Sequence, residues 1–236
     1  MVRAGRVVRQ ALDEMKRAVG VGVSTGQLDD ICAAVFDRHG ARSAPQLVYG
    51  FPGAACISIN EEAVHGVPRA TTVIRAGDLV KLDVTAELNG YYADAAVTVV
   101  VGNASPTSRR LARCAEAALR VGIRAARAGQ PMNAIGRAVQ NAVEGRGFNV
   151  MPRLGGHGVG RTIHEEPFVA NYYNPSYDQP LDAGLVIAIE PVISAGSGGS
   201  EESGDGWTVR TADGATSAHF EHTLVVTRGR PMVLTA

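Results

Sequence analysis

The sequence predicts an α+β fold made of two related halves whose strands converge on a shared acidic centre. Three observations predict it: four stretches of helical apolar periodicity, one tight strand–turn–strand segment, and an ungapped match of the chain to itself. The 236 residues form one large domain or two small ones, and 45% hydrophobic content is ample for a packed core.

Val7, Val8, Ala11, Leu12, Met15 and Val19 form the first helical stripe, ending at Gly20. Leu28, Ile31, Val35 and Phe36 form the second, ending at Gly40. Strands are expected at 56–60, 95–101, 185–194, 207–211 and 218–227. Ser105-Pro106 opens a third helix through Leu111, Ala115, Ala118 and Leu119. Ile135, Val139, Ala142 and Val143 mark a fourth, ending near Gly145 or Gly147. The glycine-, serine- and acid-rich stretch 195–206 reads as a mobile loop between two strands.

Val80 to Asp94 alternates like a strand on both sides of Asn89-Gly90. Asn-Gly is the preferred two-residue hairpin turn, because both central residues need positive φ. The turn pairs Leu88 with Tyr91 and Thr85 with Asp94, which makes Asp83 and Asp94 diagonal neighbours on one face. Two converging carboxylates repel unless a cation lies between them.

Gly22–Gly40 aligns with Gly129–Gly147 without gaps, and the same offset carries 75–83 onto 182–190, so Asp83 lands on Glu190. We therefore expect residues 1–236 to be a single domain with an internal repeat, roughly 2–103 and 107–228. Glu190 sits in an apolar run, where a carboxylate is costly unless it is paired or bound to metal. Alone it would read as half of a salt bridge; its match to Asp83 favours a ligand.

Glu221 shares a strand face with His219 and Thr223, with His222 opposite. His157 and His164 bracket a glycine-rich run, Gly155-Gly156-His157-Gly158-Val159-Gly160, that suits close backbone approach to a ligand. The spacing matches neither the helical HExxH zinc site nor a phosphate loop. Asp83, Asp94, His157, Glu190 and Glu221 offer four carboxylates and one imidazole, which nearly balance two divalent cations. Cobalt, manganese, iron or zinc all fit such a donor set. His65 lies in an expected loop, Val64-His65-Gly66-Val67-Pro68.

Composition excludes other classes. Lysine plus arginine equals aspartate plus glutamate, 23 each, which gives no electrostatic case for nucleic acid or membrane binding. No apolar signal block or membrane span is expected. Cys32, Cys56 and Cys114 are odd in number and scattered, which suggests reduced cytoplasmic thiols.

In this order these residues resemble the type I methionine aminopeptidases, short members of the pita-bread metallopeptidases. The resemblance spans the chain: Cys56 to Asn60, His65 to Pro68, Asp83 to Asp94, Gly156 to Pro167, Ile189-Glu190-Pro191, Asp205 to Val209 and Glu221-His222-Thr223. The gap between His157 and Glu190 is too short for the type II insert, and no N-terminal zinc-binding extension is expected. The resemblance implies a pita-bread fold, with a central antiparallel sheet flanked by helices. It implies removal of the N-terminal methionine from nascent proteins, with a small residue preferred next.

By the same resemblance Asp83 would hold one metal, His157 and Glu190 the other, and Asp94 and Glu221 would bridge them. Glu190 would take the proton of the attacking water. His65 would contact the scissile nitrogen and His164 the carbonyl oxygen. Phe51, Cys56 and Trp207 would line the methionine pocket. Val48, Ile163 and Pro45 would line it too, as departures from the family's usual tyrosine, phenylalanine and cysteine. His219 replaces a usual glutamine. A monovalent cation is implied near Asn60 and Ser217. The partners implied are nascent N-termini and the ribosome, with a monomeric chain. The competing readings are an Xaa-Pro aminopeptidase or dipeptidase of the same fold, and a non-catalytic pita-bread module that binds peptides or proteins.

Overall fold

The computed structural model describes residues 1–236. The four expected helices form: α1 (Val2–Ala18), α2 (Thr25–His39), and, after a short additional helix α3 (Ala44–Tyr49), α4 (Pro106–Ala125) and α5 (Asn133–Glu144). α2 opens on a capping box. The Gln27 amide donates to Ser24 Oγ at 3.2 Å, and the Ser24 amide donates to Gln27 Oε1 at 2.9 Å. It closes on Gly40 at φ 62°, a left-handed conformation that costs glycine nothing. α4 opens on a Ser105 cap followed by Pro106. The sequence reading missed α3. Six residues are too few for periodicity, although Ser43 caps it, Pro45 sits in its first turn and Gly50 ends it at φ 71°.

The Asn-Gly hairpin forms in the expected register. Leu79–Leu88 pairs with Tyr91–Val100, with Leu88 opposite Tyr91 and Thr85 opposite Asp94. Asn89 and Gly90 have φ of 54° and 78°. Cys56–Ile59 and Arg42–Ser43 complete this sheet, with Cys56 opposite Asp83. The second half carries a five-stranded sheet of Gly155–Gly158, Glu165–Ala170, Val186–Ile189, His222–Val225 and Met232–Val233. Two three-stranded sheets complete the layer. One joins Asn149–Val150, Val192–Ser194 and Ser217–His219, and the other joins Glu62–Val64, Ser200–Glu202 and Val209–Thr211. Every strand pairing is antiparallel.

Three strand expectations change. The run 185–194 divides at Glu190-Pro191 into Val186–Ile189 and Val192–Ser194, which belong to different sheets, because proline has no amide to continue the ladder. The run 218–227 divides at Phe220-Glu221 into Ser217–His219 and His222–Val225. The segment 195–206 contains a strand, Ser200–Glu202, which pairs with Val209–Thr211. Its outer residues are solvated and lack apolar alternation, and the Arg210–Glu201 contact at 2.7 Å helps hold the pair.

Each helix pair covers its own core. Met15, Leu28 and Val35 pack with Leu82, Val84 and Ala95 in the first half. Leu111, Ile135 and Val139 pack with Ile187, Ile189 and Leu224 in the second. Burying each large aliphatic side chain contributes about 1.5–3 kcal/mol. The halves meet along Tyr91–Val100. The Glu221 amide donates to the Ala96 carbonyl at 2.9 Å, and the Ala96 amide returns to the Glu221 carbonyl at 3.4 Å. On one side the Thr223 hydroxyl donates to the Asp94 carbonyl at 2.8 Å and accepts from the Asp94 amide. On the other the Thr98 hydroxyl donates to the His219 carbonyl at 2.6 Å and accepts from the His219 amide. Exchanging Asp94 with Glu221 and Ala96 with Thr223 maps the pairs Asp94–Thr223 and Ala96–Glu221 onto each other. The two acids therefore enter the centre from equivalent places.

Candidate metal centre and cleft

Regular strands supply two of the acids and broken strands supply the other two. Asp83 and Asp94 face inward from the hairpin, and Thr85, opposite Asp94, hydrogen-bonds its carboxylate. Glu190 and Glu221 occupy the two strand breaks. At Glu190 the lost ladder is replaced by the Asn171 amide, which donates to the Glu190 carbonyl at 2.9 Å.

His157 stands on Gly155–Gly158, squeezed between Glu165–Ala170 and Val186–Ile189. Gly156 is required there, since a Cβ at that position would fall on the Ala188 carbonyl. We expect Gly156→Ala to cost more than about 3 kcal/mol, the range of severe overpacking, in a denaturant melt. An unchanged midpoint would contradict this packing. His157 Nδ1 lies 2.8 Å from the Gly158 carbonyl, so Nδ1–H donates and the Nε2 lone pair faces the carboxylates. Nε2 is 3.5 Å from Glu190 Oε1 and 4.0 Å from Asp94 Oδ2.

Ligand atoms of Asp94, His157 and Glu221 lie within 4.8 Å of one another. Asp94 Oδ1 and Glu221 Oε1 are buried without any hydrogen-bond partner. Burial first, and mutual repulsion second, push Asp83, Glu190 and Glu221 far above the usual carboxylate range. Burial raises Asp94 to about 7 against the hydrogen bonds that oppose it. Burial lowers His157 to about 4, so its imidazole is neutral at pH 7. Orphaned acceptors, crowded carboxylates and an inward lone pair all lack the same thing, a multivalent cation, and these residues fit one. His219 is fully buried, with Nε2 3.6 Å from Glu190 Oε2 and 3.9 Å from Glu221 Oε2. Burial lowers it to about 3, which places a neutral imidazole behind both glutamates.

The acids floor a cavity of about 630 Å³. Phe51, Cys56, His65, Ile163, His164, Trp207 and Pro45 all line it. Phe51 and Trp207 meet edge to face, with centroids 5.2 Å apart. Val48 does not line the cavity. Tyr49, one residue further round α3, lines the cavity instead. Tyr49 is the site residue the sequence reading missed; the Ser43 and Gly50 caps were the signal for the helix that orients it. Its hydroxyl is 2.6 Å from His164 Nδ1, and the His164 ring stacks edge to face on His157 at 4.3 Å. His65 holds a left-handed φ of 57°, unusual for a non-glycine residue and frequent at working sites. Burial lowers both His65 and His164 below the usual histidine value.

Asn60 and Ser217 do not line the cavity; Asn60 turns between Cys56–Ile59 and Glu62–Val64, and Ser217 opens Ser217–His219. Lys81, also unforeseen, reaches them. It is 1% exposed, and burial lowers its ammonium to about 7 against the pull of Glu62, Glu61 and Asp78.

Fold and site together define a metal-dependent hydrolase of the pita-bread type. The profile of metallopeptidase family M24 matches residues 1–228, and the chain belongs to that family. It is 44% identical to methionine aminopeptidase 2 of Bacillus subtilis, over 99% of this chain and 94% of that one. It is 40% identical to the methionine aminopeptidase of Aquifex aeolicus, over 99% and 93%. The crystal structure of methionine aminopeptidase from Thermotoga maritima superposes with a TM-score of 0.97 at 36% identity, covering 100% of this chain and 94% of that one. The prolidase from Pyrococcus horikoshii shares the fold, with a TM-score of 0.78 at 20% identity, over 100% of this chain and 60% of that one.

Proposed function

We propose that this metallopeptidase removes the N-terminal methionine from nascent proteins and peptides, with a small second residue preferred. The observation that carries the reading is the closed acid–imidazole cluster flooring a cleft walled by Phe51, Cys56, Ile163 and Trp207. The apolar wall fits a methionine side chain beside the reacting groups. A bulky second residue would crowd the glycine-rich wall around His157.

Asp83 would hold one divalent ion, His157 and Glu190 a second, and Asp94 and Glu221 would share both. Bound there, divalent cations lower the pKa of water and polarise a carbonyl. Glu190 would accept a proton from the attacking water and pass it to the leaving amine. Tyr49 donates to His164 Nδ1, which leaves His164 Nε2–H to donate to the carbonyl oxygen as charge develops. His65 would contact the scissile nitrogen from the cleft rim. The ion identity, cobalt, manganese, iron or zinc, follows cellular supply rather than affinity alone.

We read residues 1–236 as one domain built from two repeats, a reading the seam between Asp94–Thr98 and His219–Thr223 supports. The chain is proposed to act as a cytoplasmic monomer on chains leaving the ribosome. Three unpaired cysteines suit a reducing compartment. No helix is long and apolar enough to cross a membrane.

The test is to strip the protein with chelator, restore manganese, cobalt, iron or zinc separately, and follow Met-Ala-Ser and Ala-Pro-Ala by mass spectrometry. Metal-dependent loss of methionine alone is expected. Cleavage only before proline would assign the chain to the Xaa-Pro enzymes. Cleavage of neither, with two metals bound, would mean that the altered pocket has changed the substrate or that the chain is a binding module.

A further inference from the structure

Lys81 has the largest of the fully buried side chains. Its Nζ donates to the Asn60 carbonyl at 2.7 Å, to Ser217 Oγ at 3.2 Å and to the Ser217 carbonyl at 3.4 Å. All three are neutral oxygens, one for each N–H of an ammonium. A ring of carbonyl and hydroxyl oxygens is how proteins replace the hydration shell of a monovalent ion. The oxygens come from both halves. Asn60 turns between Cys56–Ile59 and Glu62–Val64 with φ 54°, and Ser217 starts a strand of the second half. The same Asn60 carbonyl also accepts from the Ser217 amide and hydroxyl, both at 2.9 Å.

The cup lies directly behind the metal ligands. Lys81 is two residues before Asp83 on the same strand face, and Thr98, opposite Lys81, holds the His219 backbone. Ser217 is two residues before His219 and four before Glu221. Asn60 and Ser217 are the residues beside which a free monovalent cation was expected.

We propose that the Lys81 ammonium is a tethered monovalent cation that takes the place of a free alkali ion between Asn60 and Ser217 and positions the Asp83 strand against Ser217–His219, the strand that leads into Glu221. It is a positioning residue, since it touches none of the reacting groups. With the cation covalently supplied, the chain needs no potassium or sodium. Truncating Lys81 opens a cup of the same oxygens that a small free cation can fill, whereas an apolar side chain of similar length keeps it blocked.

The experiment compares the unaltered protein, Lys81→Ala and Lys81→Met, all full length and manganese-loaded at pH 6.5. Tm and peptide turnover are measured in potassium, ammonium or choline chloride at equal ionic strength. The unaltered protein should give the same values in all three salts. Lys81→Ala should lose at least about tenfold in turnover in choline, the order expected when buried acceptors lose their donor. Potassium or ammonium should restore its turnover and raise its Tm, while Lys81→Met should respond to neither.

Potassium dependence of the unaltered protein would overturn the proposal. So would full activity of Lys81→Ala in choline, or a Lys81→Ala defect that no cation relieves in either readout. If Lys81→Ala fails to fold in choline, refolding yield in potassium against choline takes the place of turnover, and equal yields would refute the proposal. The thermal readout assumes nothing about the substrate, so a failed peptide assay leaves this test standing.

Discussion

Asp94→Asn should abolish turnover and, in the same protein stripped of metal, raise stability at neutral pH. Asparagine keeps the shape of the carboxylate and its hydrogen bond from Thr85 but removes a charge shared with Asp83, Glu190 and Glu221. With metal present, the loss of a shared ligand should lower kcat/KM at least about a thousandfold, or roughly 4 kcal/mol of transition-state stabilisation. Calorimetry should show weakened metal binding.

Without metal the sign reverses. Asp94 is raised in the folded state to about 7, well above an unfolded value of about 3.9. Stability that is present below pH about 4 is therefore lost as pH rises through about 7. The metal-free parent protein should lose Tm across that window, and Asp94→Asn should lose less. The difference between the two curves isolates this group from other carboxylates, such as Asp205, which is held low by its hydrogen bonds to Thr208 and Trp207. A chelated Asp94→Asn protein that melts below the parent at pH 7.5 would contradict a carboxylate penalised by burial.

His164→Ala should lower kcat by about a hundred- to a thousandfold with little change in KM, the usual cost of one donor to a developing oxyanion. The residue is held by Tyr49 on one side and by the His157 ring on the other. Tyr49→Phe removes only the hydroxyl that fixes the tautomer, so a loss of about tenfold is expected. The double variant should be no slower than His164→Ala, because Tyr49 acts through His164. Additive losses would show that Tyr49 contacts the substrate on its own account. Any His164 titration in kcat should lie below that of a free histidine, since burial lowers that group.

The four long helices were legible because each carries a long apolar stripe with a start or stop signal, and the hairpin was legible because Asn89-Gly90 fixes both turn and register. The match of Asp83 to Glu190 made the acid cluster legible before any coordinates. The break at Glu190-Pro191 had a signal, since proline cannot continue a ladder, but it lies inside an apolar run. The break at Phe220-Glu221 had none, and only the competing sheets show where one ladder stops and another begins. Val48 and Tyr49 differ by one position on a single-turn helix. Their assignment depends on α3 existing, and six residues give no period from which to infer it.

The sequence by itself determined the α+β class, the four long helices, the hairpin register and the acids that converge, because these follow from local propensity and from the repeat. Only the tertiary structure decided that Tyr49 and not Val48 faces the cleft and that His219 backs two glutamates. It also decided that the ammonium of Lys81 fills the oxygens between Asn60 and Ser217. The physical reason is shared. Each depends on packing between segments far apart in the chain, where direction and distance, not residue type, choose the partner.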